Sequence, residues 1–309
     1  MLKRDKFAQN SETWCGLNRP DITEKEADVV LFGIPFDKGV SYRGGAGQGP
    51  SVLRENTLCS TPYTERFECM DSLKVHDSGD FVGETRDALF KEIREYTGRL
   101  VRNGIFFTMV GGDHSVTIPV EAGISDGLKE QFGIVHIDAH FDLCDTLGGD
   151  RLSHGSTERR ALELANVAGP ENLYFVGIRS IEPDEYQFKK KNNIQVKSAW
   201  DCHHNGMEFV AADVVTAMSR FGKVYITLDI DCLDPAFAAG TGTPQFGGLY
   251  SRQVLTLLEI LFEKLNIIGF DVVEVAPPLD PSLTSMFAAR KIITECWGFH
   301  AKKLGKLEP

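Results

Sequence analysis

In this 309-residue chain, side chains of the kind that hold metal ions stand where apolar runs end. Phe106–Val110 leads into Gly111-Gly112-Asp113-His114-Ser115, and Gly133–Ile137 into Asp138-Ala139-His140-Phe141-Asp142. Val224–Leu228 leads into Asp229-Ile230-Asp231-Cys232-Leu233-Asp234-Pro235. Alternate residues of an extended chain share a face. Asp138, His140 and Asp142 therefore converge on one side, and Asp229 with Asp231 does so on a neighbouring strand. His114 arrives through Gly111 and Gly112, which let the backbone bend close to the others. Two imidazoles and four carboxylates suit Mn²⁺ or another borderline-to-hard divalent ion, and a set without thiolates is not a structural zinc site. Six ligands exceed what one ion takes once water joins it, whereas two ions can share bridging carboxylates. A pair about 3.5–4 Å apart would make water nucleophilic near neutral pH. Each piece alone has a bland explanation, Asp229 or Asp231 as a strand-end cap and Gly-Gly as a turn. Together, four carboxylates at the ends of apolar strands would repel one another and suffer desolvation, so neutralisation by metal is the simplest account.

Positioning these groups requires strands that end together. Short β-rich runs, Asp28–Phe32, Leu73–Val75, Ile105–Val110, Ile134–Ile137, Leu173–Gly177, Lys223–Leu228 and Ile267–Val273, alternate with longer amphipathic segments. The latter predict helices at Arg86–Arg102, Ser156–Leu164, Met207–Arg220, Ser251–Lys264 and Thr284–Phe299. That order predicts an α/β fold, one doubly wound and mainly parallel sheet with helices on both faces. Without repeats or a long linker, residues 1–309 read as a single domain, with residues 1–27 as an N-terminal extension packing on it. In open α/β sheets, ligands bind at the carboxyl ends of the strands, where the acids and imidazoles lie.

Composition narrows the partners. A formal net charge of −11 argues against a nucleic-acid or anionic-membrane binder. Met1–Asn10 is polar and lacks the apolar core of a signal peptide, and no run reaches the 18 or more apolar residues of a membrane span. The seven cysteines are scattered, without a Cys-x-x-Cys pair, which reads as reduced thiols in a cytoplasmic protein.

Gly-Gly-Asp-His-Ser, Asp-Ala-His-x-Asp and Asp-Ile-Asp-Cys-Leu-Asp-Pro, in this order and spacing, resemble the signatures of the ureohydrolases, the arginase/agmatinase family. The resemblance runs from about Asp28 to Phe299 and implies an arginase-like α/β domain, two Mn²⁺ per chain and a small-molecule guanidino substrate. It implies that His114, Asp138, Asp142 and Asp229 hold one ion, and that His140, Asp138, Asp229 and Asp231 hold the other. Asp138 and Asp229 would then be bridges. The family's homo-oligomers imply a trimer or hexamer.

The same resemblance extends to residues around the metals. Glu274, in Asp271-Val272-Val273-Glu274-Val275-Ala276-Pro277, takes the place of the guanidinium-binding glutamate, a role its carboxylate suits. His154, in Ser153-His154-Gly155, matches the loop histidine that carries protons to the leaving amine, and histidine titrates in the right range. Glu182, in Gly177-Ile178-Arg179-Ser180-Ile181-Glu182-Pro183, stands where arginase contacts a substrate amino group, although a helix-start glutamate reads almost as well. Other conspicuous residues read as structural. His136 is a core histidine, Asp113 forms a turn, His203 and His204 face solvent, and Cys232 is a small buried thiol. Gly44–Gly49 lacks the Lys-Ser/Thr of a phosphate loop.

For the substrate's tail, Gly240–Pro244 and Gly33-Ile34-Pro35-Phe36-Asp37 look most like the agmatinase branch. Leu143 and Cys144 are poorly suited to hold a carboxylate, whereas Asp145, Glu158 and Glu182 suit a distal cation. Hence the leading expectation is agmatine, cleaved to putrescine and urea. Phe141, Ser156-Thr157-Glu158 and Gln245 depart from the branch's pattern. They keep guanidinobutyrate, arginine, formimidoylglutamate and guanidine open, with Arg151 and Arg159 as anion partners. From a different class comes a catalytically silent homologue serving in assembly, against which the full set of site residues speaks.

Overall fold

The computed structural model describes residues 1–308. Val29–Ile34 (β2), Val75–Phe81 (β3), Phe107–Gly111 (β4), Gly133–Ile137 (β5) and Leu173–Ile178 (β6) are strands. So are Gln195–Ser198 (β7), Val224–Asp229 (β8), Ile267–Val273 (β9) and, at the start, Leu2–Lys3 (β1). They form one nine-stranded sheet in the order β1-β3-β2-β4-β9-β8-β5-β6-β7. Only β1 runs antiparallel, pairing Leu2 with Phe81 at the edge. This is the single α/β domain that the alternating runs predict.

The strands are hydrophobic on both faces because helices cover both. On one side β4 and β8 turn Val110, Ile226 and Leu228 toward Leu53 of α1 (Gly49–Thr57). Val210 of α7 (Met207–Met218), Leu257 of α8 (Ser251–Lys264) and Ile293 of α9 (Thr284–Lys303) complete that layer. On the other side Phe107, Met109 and Tyr225 meet Ile93 of α2 (Arg86–Arg102) and Val120 of α3 (Thr117–Gly127).

Some elements differ from their sequence pattern. Leu73–Val75 predicts a strand that in fact begins at Val75 and continues through His76-Asp77-Ser78-Gly79-Asp80. These polar residues hide the strand because buried partners satisfy them. Ser156–Leu164 contains only a short helix, α4 at Thr157–Ala161. The short α5 (Pro183–Lys191) and α6 (Ala199–Asn205), flanking β7, lack a strong apolar stripe, as does α3.

Crossovers decide where the chemistry sits. The chain leaves β4, skips two strand positions to lay down β5, then returns with β8 and β9 to fill the gap. The four central neighbours β4, β9, β8 and β5 thus all deliver their carboxyl ends to one crevice.

Candidate metal centre

His114 opens a single 3-10 turn after β4, capped by the Asp113 side chain, which accepts from Ser115 N. Gly112 permits the approach, since a Cβ there would lie 1.8 Å from the Phe36 carbonyl oxygen. Asp138–Asp142 leaves β5, Asp229 closes β8, and Asp231 follows in a turn whose amide donates to Asp229 Oδ1 at 2.7 Å. Asp142 and Glu274 adopt positive φ angles of 53° and 61°, a left-handed backbone that acidic residues rarely take. Strain of this kind persists where the surroundings enforce it, commonly at functional sites.

His114 Nδ1 faces Asp138 Oδ2 at 3.0 Å, Asp142 Oδ2 at 3.1 Å and Asp229 Oδ2 at 3.4 Å. Its Nε2 lies 2.8 Å from Thr227 Oγ1, and that hydroxyl donates to Asp271 Oδ1 at 2.8 Å. With its hydrogen committed to Asp271, Thr227 can only accept from His114, so Nε2 carries the imidazole proton. The Nδ1 lone pair is then aimed at three carboxylates. That arrangement calls for a cation between them, with Thr227 and Asp271 orienting the imidazole from behind.

A second group forms beside the first. His140 Nδ1 lies 3.2 Å from Asp231 Oδ2 and 3.5 Å from Asp138 Oδ1. Asp138 therefore presents one oxygen to each imidazole, as a bridging carboxylate should. The group gathered around His140 comprises Asp138 and Asp231, while Asp229 stands with His114. Burial disfavours the charged form of His140, but Asp231 and Asp138 outweigh it and push its pKa up to about 12. Burial, Asp231 and Asp138 together drive Asp229 well above the usual carboxylate range. Among the described residues no Lys or Arg side chain pairs with these acids, and imidazoles alone face them.

Beyond this cluster, Glu274 Oε1 accepts from His114 N at 3.0 Å and lies 2.9 Å from His154 Nδ1. A cavity of about 170 Å³ opens over His140, Asp142 and Asp229. His154, Ser41, Glu182, Glu185 and Gln245 form part of its wall, and no Lys or Arg lines it.

Residues 27–298 match the family model described as the arginase family. This chain belongs to the arginase family. The expectation of a hydrolytic ureohydrolase stands with it, and a buried His/Asp cluster is what a metal-dependent member needs. The agmatinase of Bacillus subtilis is 37% identical over 279 residues, covering 88% of this chain and 91% of that one. A guanidinobutyrase of Pseudomonas aeruginosa is 32% identical over 274 residues, covering 87% and 85% respectively. Among solved structures, the proclavaminate amidino hydrolase from Streptomyces clavuligerus superposes with a TM-score of 0.83 at 29% identity, over 96% of this chain and 99% of that one.

In this arginase-family chain several tail-reading expectations fail. Glu158 is wholly buried and holds His136 Nδ1 at 2.9 Å, so it cannot meet a substrate. Asp145 is engaged by Arg160 at 2.8 Å and lies outside the cavity wall. Arg151 pairs with Glu163 at 2.8 Å, and Arg159 packs over the Phe188 ring, so neither is a free anion partner. Phe141 packs edge-on against Phe175 in the core, so its departure from the agmatinase pattern concerns packing. Glu182 does line the cavity, but the sequence gives no signal for Glu185 beside it. Glu185 is buried and accepts from Leu143 N and Glu182 N, both at 2.8 Å. Burial pushes it up to about 7.

His136 is a core histidine that also touches the site. Its Nε2 lies 3.1 Å from both Asp138 Oδ2 and the His140 carbonyl oxygen, and its ring stacks on His114 at 5.1 Å. Of the two histidines expected in solvent, His204 is exposed, whereas the carbonyl oxygen of Gly248 holds His203 Nε2 at 2.9 Å.

Proposed function

We propose that this chain is a binuclear Mn²⁺ hydrolase that releases urea from a guanidino compound carrying a distal positive charge, with agmatine as the leading substrate. The observation that carries the substrate class is the cavity wall, which offers Glu182 and Glu185 and no Lys or Arg. A carboxylate tail there would face acids without a counter-charge, whereas an ammonium meets the exposed Glu182 and, behind it, the backbone-bonded carboxyl of Glu185.

His114, Asp138, Asp142 and Asp229 are assigned to one ion, and His140, Asp138, Asp229 and Asp231 to the other. Once bound, such a pair would supply Lewis acidity and bring the pKa of water toward neutrality. The chain's own residues do the rest. Glu274 accepts N–H bonds from the planar guanidinium and fixes its carbon over the ligand cluster. His154, within reach of the same carboxylate, passes a proton to the departing amine. Glu182 and Glu185 hold the far ammonium and so set the length of substrate that fits. A cytoplasmic homo-oligomer, trimer or hexamer, completes the proposal.

Urea release by Mn²⁺-loaded protein across agmatine, arginine, guanidinobutyrate, formimidoylglutamate and guanidine tests it. Agmatine should give the highest kcat/KM. Guanidinobutyrate ahead of agmatine by about tenfold, or 1.4 kcal/mol, would overturn the cationic-tail reading. No urea from any member would point to the silent homologue.

A further inference from the structure

His154 is reached by a segment far away in sequence, and the way it is held makes a distinct point. Its Nδ1 lies 2.9 Å from Glu274 Oε1. Its Nε2 lies 3.0 Å from the backbone nitrogen of Ser41 and 2.8 Å from Ser41 Oγ, 113 residues earlier in the chain. The loop carrying Ser41 is built in. Its Gly39 carbonyl oxygen accepts from His154 N at 3.0 Å, and Gly39 N donates to buried Asp113 Oδ2 at 2.7 Å. Asp113 N in turn donates to the Phe36 carbonyl oxygen at 2.9 Å. Gly39 is required for this fit, because a Cβ there would come within 2.6 Å of Ser115 Oγ.

The two Ser41 groups at Nε2 are not equivalent. A backbone N–H can only donate, so it serves the imidazole only while Nε2 bears a lone pair. A hydroxyl donates or accepts by rotation. When Nε2 carries a proton, the amide hydrogen opposes it and the hydroxyl becomes its acceptor. A histidine that takes up and gives away a proton without leaving its place needs such a reversible partner.

We propose that Ser41 is a positioning residue for proton transfer, its hydroxyl keeping His154 seated against Glu274 in both protonation states. The inference rests on the proposed proton-carrying role of His154. The charged groups facing that imidazole are Glu274 after β9, Asp142 after β5 and Asp113 after β4. Burial works against the charged form, but Glu274 outweighs it and pushes His154 up to about 9. Removing the Ser41 hydroxyl leaves the donor-only amide as the protein's partner at Nε2, which favours the neutral ring. The His154 limb of the kcat–pH profile should therefore move toward lower pH.

The experiment compares Ser41→Ala, Ser41→Thr and His154→Ala as Mn²⁺-loaded full-length proteins, using the best substrate of the urea-release panel. Metal content and thermal midpoint are measured alongside. Ser41→Ala should keep its metal and its KM within about twofold, lose roughly tenfold in kcat, and shift the limb down by about one pH unit. Ser41→Thr, which keeps the hydroxyl, should restore the profile. Parent-like kinetics for Ser41→Ala, with His154→Ala slow, would overturn the Ser41 assignment alone. A pH-independent loss that threonine does not rescue would also overturn it, reducing Ser41 to loop packing. Parent-like turnover by His154→Ala would instead defeat the underlying role of His154.

Discussion

Two buried charge clusters sit on the same sheet and solve the problem of burial differently. Near β3, Arg54 is 1% exposed and chelates Asp77 through Nε at 2.7 Å and Nη2 at 3.0 Å, reaching Asp80 through Nη1 at 2.6 Å. Trp14 Nε1 adds a donor to Asp77 Oδ2 at 2.7 Å, and a Cβ on Gly33 would strike Asp80 Oδ1 at 2.0 Å. The acids there come with their own guanidinium, and the backbone is pared down to admit it. At the carboxyl ends of β5 and β8, Asp138, Asp142, Asp229 and Asp231 gather around imidazoles whose nitrogens face carboxylate oxygens. No Lys or Arg pairs with these four among the described residues. One cluster is complete when the chain folds. The other holds only imidazoles against its acids, and the proposed metal ions would complete it.

Breaking the incomplete cluster should cost activity most. Asp138→Ala removes the carboxylate whose two oxygens face both imidazoles, and should lower bound metal and cut urea release by ~10³-fold. That exceeds the roughly 10–100-fold that follows loss of an outer hydrogen-bond partner. Elemental analysis beside the activity assay checks it, and full occupancy of two ions in this variant would remove Asp138 from its bridging position.

Breaking the complete cluster should cost stability without touching the chemistry. Arg54→Met strands the buried Asp77 and the half-buried Asp80 and should destabilise the fold by about 3–5 kcal/mol in denaturant titration. Chelation separates the clusters further. Mn²⁺ returned to stripped parent protein at a hundred times its dissociation constant should add about 2.7 kcal/mol, or roughly 4 °C in Tm, for each ion held. Arg54→Met should gain the same increment, because its missing charge is not the one Mn²⁺ supplies. An increment restored by metal only in the parent would mean that the clusters are coupled.

The smallest effect belongs to the exposed rim. Glu182 is open to water, so truncation to alanine should raise the KM for agmatine only a few-fold, consistent with about 0.5–1 kcal/mol for a solvated ion pair. The comparison is with guanidine, which has no tail, and an equal rise for both would take Glu182 out of tail recognition.

How much of this was legible before folding follows the range of each interaction. Asp138, His140, Asp142, Asp229 and Asp231 could be read because their spacing after apolar runs is local, as is the glycine turn that carries His114, but strand alternation is not what joins them, since Asp138–Asp142 bends away after β5 and Asp231 lies in a 3-10 turn. The β-rich runs at Ile134–Ile137 and Ile267–Val273 were legible for the same reason, being apolar but for His136 and Asp271. Strand β3 was legible only at its start, Val75, because Asp77 and Asp80 look like loop residues until Arg54 of a different element is seen beside them. Glu158 looked like an entrance acid only while its partner, His136, was unknown. Glu185 gave no signal at all, since nothing near it in the chain marks the cavity it lines. Ser41 was marked only by the family resemblance of the segment Ser41-Tyr42-Arg43, which implied packing near the site and no partner. The sequence by itself therefore determined the ligand types, their spacing, the alternating α/β order and the family they resemble. Tertiary structure alone decided that β8 and β9 enter between β4 and β5, so that Asp229 and Asp231 meet the residues that follow β4 and β5 in one crevice. It alone decided which acids received a cation from the chain and which were left to bind one, because neutralising a buried charge depends on distance in space, and distance along the chain does not report it.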